Sequence, residues 1–330
     1  MRFLPLPLLL AIASAAAAQP ADHAPVKAVA DRQLTVSAPA GQGQLPVYLS
    51  ADWSGPLPAV SRAVIVVHGT LRNADVYLRS AERARDAAAA PDTLLIVPQF
   101  LATTDIAAHH LPQETLRWSL EGWKAGEPAE GPAPLSSFDA FDAVLTRLAD
   151  PHLFPALHDV VVAGHSAGAQ VVQRYAVVGR GEAALTARNI TVRYVVANPS
   201  SYLWFGEARP RPACPGFDQW KYGLRGAPPY VANTGTLEDR FINRDVVYLL
   251  GALDTNPEHP FLDRSCQAEA QGETRFARGM LNMLYQEQRH PNQVRHRIFT
   301  IPGVGHDGER MFTSACGLAA LFDRLGCTGF

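Results

Sequence analysis

Ser166 stands between two glycines in Gly164-His165-Ser166-Ala167-Gly168. A serine hydroxyl is a weak nucleophile until a base takes its proton; an imidazole can do so near neutral pH, and a carboxylate can fix the imidazole tautomer. Eleven histidines are available. His306 lies in Pro302-Gly303-Val304-Gly305-His306, a glycine-flanked turn directly after the last expected strand. His109 and His110 fall inside a long irregular stretch, His158 precedes the run before Ser166, and His259 sits between Pro257 and Pro260. For the carboxylate, Asp254 ends the segment LLGALD, with Asp263 and Asp307 as rivals. A tetrahedral intermediate also needs two N–H donors for its oxyanion. Ala167, the residue after the serine, supplies one. Thr70 in His68-Gly69-Thr70 is the choice for the second, with Leu71 as the alternative. His68 itself reads as structural.

These residues need a scaffold that points them at one place. Val160–Ala163 is an unbroken apolar run, as in a strand buried on both faces. Ala167 to Val178 carries Val171, Val172 and Tyr175 at helical spacing and ends at Gly179. Ser166 is thus on a sharp strand-to-helix turn, where glycines two before and two after leave room for the chain to pass. Further strands are expected at Ala63–Val67, Thr93–Val97, Val192–Ala197, Asp245–Gly251 and Arg297–Ile301. Gln33–Pro39 and Leu45–Ser50 read as an antiparallel hairpin. Helices are expected over Asp75–Ala88, from an N-cap at Ser137, over a segment with Phe276, Met280, Met283 and Leu284 on one face, and over Glu309–Arg324. The fold class is α/β: a mostly parallel central sheet with an antiparallel N-terminal hairpin and helices on both faces. Ligands of such sheets bind at the carboxyl ends of the strands, where every candidate above falls.

Two long stretches, 99–135 and 199–243, interrupt this alternation; long irregular loops in compact domains are usually functional. Trp118 and Trp123 in the first, and Tyr202 and Trp204 in the second, are candidate substrate-facing aromatics.

The 330 residues, 47% hydrophobic and 18% charged with a net charge of −2, describe a globular chain. They show no basic run or aromatic-interleaved basic patch for nucleic acid. Residues 1–18 read as a secretory signal peptide and 19–32 as a flexible lead, with a single domain over 33–330. The apolar part of the leader is too short to span a bilayer, which needs about 20 residues. Export to a periplasm or the exterior gives the four cysteines an oxidising environment. Cys214 and Cys266 both follow predicted strands, and Cys316 and Cys327 have Gly317 and Gly326 nearby to turn the chain. The pairs 214–266 and 316–327 are therefore favoured over the other two pairings. No CxxC spacing is present and His109-His110 lacks a third ligand, so no metal and no organic cofactor is expected.

The motifs VVHGT, GHSAG, GALD and PGVGHDG, in that order and at strand ends, resemble those of the α/β-hydrolase superfamily, and in particular its secreted bacterial esterases and lipases. The resemblance runs from about Gln33 to the C-terminus. It implies a Ser166–Asp254–His306 triad and hydrolysis of a small-molecule or polymeric carboxylic ester through an acyl-enzyme, with no obligate protein partner. There is no HGGG run and no compact helical lid, so the two long loops would shape the pocket. A serine peptidase or amidase of the same fold shares the triad, and a catalytically silent binding protein shares the fold.

Overall fold

The computed structural model describes residues 20–212, 214–231 and 234–328; the leader expected over 1–18 lies outside them. The strands are β1 (Arg32–Ala38), β2 (Gly41–Leu49), β3 (Arg62–Val67), β4 (Thr93–Pro98), the two-residue pair β5 (Leu101–Ala102) and β6 (Arg117–Trp118), β7 (Asp159–His165), β8 (Thr191–Ala197), β9 (Asp245–Gly251) and β10 (Arg297–Ile301). Eight of them form one sheet in the order β1-β2-β4-β3-β7-β8-β9-β10. β1 pairs antiparallel with β2 and β2 antiparallel with β4, while every later neighbour is parallel.

The helices, in chain order, are α1 (Ala74–Ala87), α2 (Thr103–Ala108), α3 (Gly122–Ala125), α4 (Ser137–Leu148), α5 (Ala167–Val178), α6 (Glu182–Thr186), α7 (Leu237–Ile242), α8 (Cys266–Glu269), α9 (Arg275–Arg289), α10 (Gly308–Thr313) and α11 (Ala315–Phe322). The two-residue period of a strand divides the core between the two faces of the sheet. Ala63, Ile65 and Val67 of β3 join Phe141 and Leu145 of α4 and Val172 of α5 on one face. Val64 and Val66 join Ala81 of α1, Met311 of α10 and Leu321 of α11 on the other.

Three local expectations change. The cap of α4 is Ser136, whose Oγ accepts from Phe138 N at 3.0 Å. Ser137 instead donates to Trp123 O at 2.7 Å. The C-terminal helix breaks in two at Ser314, whose Oγ caps α11 by accepting from Gly317 N at 3.0 Å. Asp323, at φ 54°, ends α11 in the left-handed conformation. The chain can then turn back so that Cys316 and Cys327 are bridged, their Cα atoms 4.6 Å apart. Cys214 and Cys266 form the other bridge.

The helix α9 turns a polar stripe inward. Met280 and Leu284 are exposed, while Arg275, Arg278, Asn282 and Gln286 are buried. The inward stripe is polar because loop backbone has to be satisfied there: Arg278 donates to Gly272 O at 2.8 Å and Asp263 O at 2.8 Å. Third, residues 20–31 are tied down rather than flexible. Arg72 and Asp105, both fully buried, pair at 2.7 Å. Arg72 also donates to Asp22 O and Ala24 O, and Asp105 accepts from Val26 N at 2.8 Å. A buried ion pair needs its remaining donors and acceptors filled, and the backbone of this segment fills them.

Candidate active site

Ser166 follows β7 and opens α5 with φ 58° and ψ −119°. A non-glycine residue in that region costs about 1–3 kcal/mol and persists only where its surroundings enforce it. Close packing does so here. A Cβ on Gly164 would lie 2.3 Å from Gly168 O, and one on Gly168 would lie 2.3 Å from Val67 O and 2.6 Å from His68 O. Both glycines are therefore required for β7 to turn into α5 against the end of β3.

His306 follows β10 and Asp254 follows β9, and the parallel sheet brings both to Ser166. His306 Nε2 is 2.9 Å from Ser166 Oγ, and its Nδ1 is 2.7 Å from Asp254 Oδ2. With the carboxylate ionised, Nδ1 carries the proton and Nε2 is free to accept one. Burial raises the Asp254 pKa, but the His306 hydrogen bond, the His306 charge and Arg275 outweigh it and hold it below the usual carboxylate value. For His306, burial and the Arg275 charge outweigh Asp254, and its pKa lies below 6.5.

The rival carboxylates are engaged elsewhere. Asp263 accepts from Tyr222 OH at 2.8 Å and Ser265 N at 3.1 Å, and Asp307 caps α10 by accepting from Arg310 N at 3.0 Å. His68 is buried; it bonds Gly69 O through Nδ1 and Phe100 N through Nε2, both at 2.9 Å. Those partners require the neutral ring, and burial pushes its pKa down to about 4.

Thr70 and Ala167 share with Ser166 the wall of a cavity of about 210 Å³. A second cavity of about 430 Å³, lined by Val76, Tyr77, Phe261 and His306 among others, opens on Ser166 as well. None of the four aromatic candidates lines either one. Trp118, Trp123, Tyr202 and Trp204 are all buried in the core. Trp123 stacks on Phe100 with ring centroids 5.5 Å apart, and Trp118 Nε1 donates to Leu135 O at 3.1 Å. The largest apolar side chains of the 99–135 loop join the core on the α4 face of the sheet.

Three further residues lie near Ser166, Asp254 and His306. Arg275, fully buried, lies with Nη1 3.4 Å from Asp254 Oδ1 and donates to Ser200 Oγ and Phe261 O. His259 packs on His306 with ring centroids 4.9 Å apart. Burial, the Arg275 charge and His306 push the His259 pKa down to about 4, so the ring is neutral near pH 7. Tyr77 OH lies 3.0 Å from Nδ1 of His165, the neighbour of Ser166. One signal was readable: Arg275, Arg278, Asn282 and Gln286 repeat at helical spacing, which marks a polar face as clearly as the apolar one beside it.

Among the described residues, no group of three or more His, Cys, Asp or Glu side chains could hold a metal ion. No helix there is long and apolar enough to cross a membrane.

No protein-family model matches the chain, and a search of curated proteins finds no match. Among solved structures, the chain is similar to LpqC, a poly(3-hydroxybutyrate) depolymerase from Bordetella parapertussis. The TM-score is 0.62 at 21% identity, over 90% of this chain and 92% of that one. It is also similar to poly(aspartic acid) hydrolase-1 from Sphingomonas sp. KT-1, with a TM-score of 0.59 at 21% identity over 86% and 96% of the two chains.

Proposed function

We propose that this chain, which has the α/β-hydrolase fold, is an exported serine hydrolase that cleaves carboxylic esters through an acyl-enzyme. The observation that carries this reading is the continuous line of hydrogen bonds Asp254–His306–Ser166, at 2.7 and 2.9 Å. Ser166 Oγ attacks the ester carbonyl while His306 Nε2 accepts its proton. The N–H groups of Ala167 and Thr70 receive the oxyanion. His306 then gives its proton to the departing alkoxide. Water enters, loses a proton to His306 and attacks the acyl-enzyme; His306 then returns that proton to Ser166 Oγ as the carbon–Oγ bond breaks and the carboxylic acid is released. Asp254 holds the imidazole tautomer throughout and stabilises the imidazolium.

The reaction calls on no metal or organic cofactor. The two cysteine bridges support residence in an oxidising compartment. The neighbours' names favour a polymeric substrate. A hydroxyacid polymer is joined by esters, and an amino-acid polymer such as poly(aspartic acid) by amides, so amide cleavage stands as the second reading. An alkoxide departs more readily than an amine nitrogen, which puts the ester first.

A fluorophosphonate probe tests the nucleophile. Labelling of the wild-type chain and none of Ser166→Ala is expected, with turnover of p-nitrophenyl esters falling about 10⁴- to 10⁶-fold in the variant. No labelling of the wild type would overturn the enzyme reading. Turnover of p-nitroanilides without turnover of esters would move the assignment to the amidase.

A further inference from the structure

Ser166 has a cavity on either side, and the two differ in chemistry. His306 and Val76 line the larger; Glu121, Lys124, Lys221 and Asp263 line the smaller. We propose that the smaller cavity is an acyl subsite that takes a carboxylate carried on the substrate's acyl chain, bound between Lys124 and Lys221, and that Glu121 occupies this place in the free protein. The proposal rests on the serine-hydrolase reading above.

Direction follows from the reaction. The leaving group must depart toward His306, which protonates it, and His306 lines only the larger cavity. The acyl chain then extends past Thr70 and Ala167 into the smaller one. There Glu121 bridges two ammonium groups: one carboxylate oxygen meets Lys124 Nζ, and the other is 3.0 Å from Lys221 Nζ. The lysine side chains are 7% and 13% exposed, whereas that of Glu121 is 64% exposed. The cations are buried in the wall, and the anion between them is on an exposed rim residue.

Charge balance decides what replaces it. Fully buried Arg174 donates to Lys221 O, Gln170 O and Ser201 Oγ, so its charge lies directly behind the cavity. Lys124, Lys221 and Arg174 face Glu121, Asp263 and Asp22. With Glu121 turned out, three cations face two carboxylates. An incoming carboxylate restores neutrality, and an ammonium group would add to the excess.

The test compares monomethyl glutarate and monomethyl adipate with methyl pentanoate and methyl hexanoate, followed by pH-stat on the purified protein. Wild type should prefer the acidic esters in kcat/KM, and Lys221→Met should lower the acidic-to-neutral ratio by about tenfold, as loss of a charge-assisted bond does. Glu121→Ala should raise the ratio, because the internal competitor is gone. It replaces an exposed side chain, so it keeps the test open should the lysine variant fail to fold. Equal rates for the two series in wild type, with a ratio that neither substitution moves, would overturn the subsite and leave Glu121 as a surface clasp. Absence of fluorophosphonate labelling and of turnover on all four esters would overturn the hydrolase reading and the subsite with it.

Discussion

Arg275 Nη1 lies 3.4 Å from the Asp254 oxygen that His306 leaves unused. One carboxylate is thus held from both sides, by the imidazole it orients and by a buried guanidinium. Arg275 is a positioning residue in this arrangement, and its charge also lowers the His306 pKa.

Arg275→Met should lower kcat/KM by about 10²-fold, the scale of a misplaced catalytic group. It should destabilise the fold by about 3–5 kcal/mol, since Asp254 loses a buried partner. The distinguishing readout is the pH profile. Without the nearby positive charge the His306 pKa rises, so the acid limb of kcat/KM moves to higher pH, and Arg275→Lys should bring it back. A loss of stability with an unmoved limb would mean that Arg275 only supports the loops.

The wild-type profile carries its own expectation. His306 must be neutral to accept the serine proton, and its pKa lies below 6.5. Activity should therefore rise with pH through a midpoint below 6.5 and be level near pH 7. A midpoint at or above pH 7, measured under kcat/KM conditions, would contradict burial and Arg275 as the dominant influences on this ring.

The acid of the triad can be settled by three amides. Asp254→Asn should preserve the fold and cost up to about 10⁴ in turnover by stabilising the wrong imidazole tautomer. Asp263→Asn and Asp307→Asn should cost about tenfold or less, the scale of one weakened hydrogen bond. These two carboxylates hold Tyr222 and the start of α10 rather than His306. Kinetics in which Asp254→Asn stays near wild type would remove it from the triad.

Gly168→Ala tests the packing beneath Ser166. Its methyl would meet Val67 O at 2.3 Å, and backbone cannot rotate away as a side chain can. A loss of about 1–3 kcal/mol is expected, as for other overpacked sites, together with reduced activity because α5 must move from β3. Urea unfolding at wild-type stability would show that the turn has slack.

The juxtaposition of Ser166, Asp254 and His306 could be read in advance because each follows a strand, and strands buried on both faces announce themselves as apolar runs. Arg275 stands in a readable polar stripe, but nothing in that stripe says that it faces Asp254. Met280 and Leu284 turned out to be exposed because the loops beneath α9 leave carbonyls that only polar side chains can satisfy. The four aromatic residues misled for a related reason. A loop as long as 99–135 must bury something to stay ordered, and Trp118 and Trp123 are what it buries. The segment before β1 looked loose by composition, yet its order comes from backbone atoms received by Arg72 and Asp105, which no pattern in residues 20–31 records.

The Cys214–Cys266 bridge joins the loop after β8 to the start of α8. Lys221 follows the first cysteine in its loop, and Asp263 shortly precedes the second. The bridge therefore ties together the two chain segments whose side chains meet at Tyr222, Lys221 and Asp263. Ser166, Asp254 and His306 hang from the sheet and ask nothing of that bridge. A molecule still holding reduced thiols would keep those three side chains in register while the segments carrying Lys221 and Asp263 were free to drift. If the proposed reaction and subsite hold, oxidation would set selectivity after reactivity is already in place.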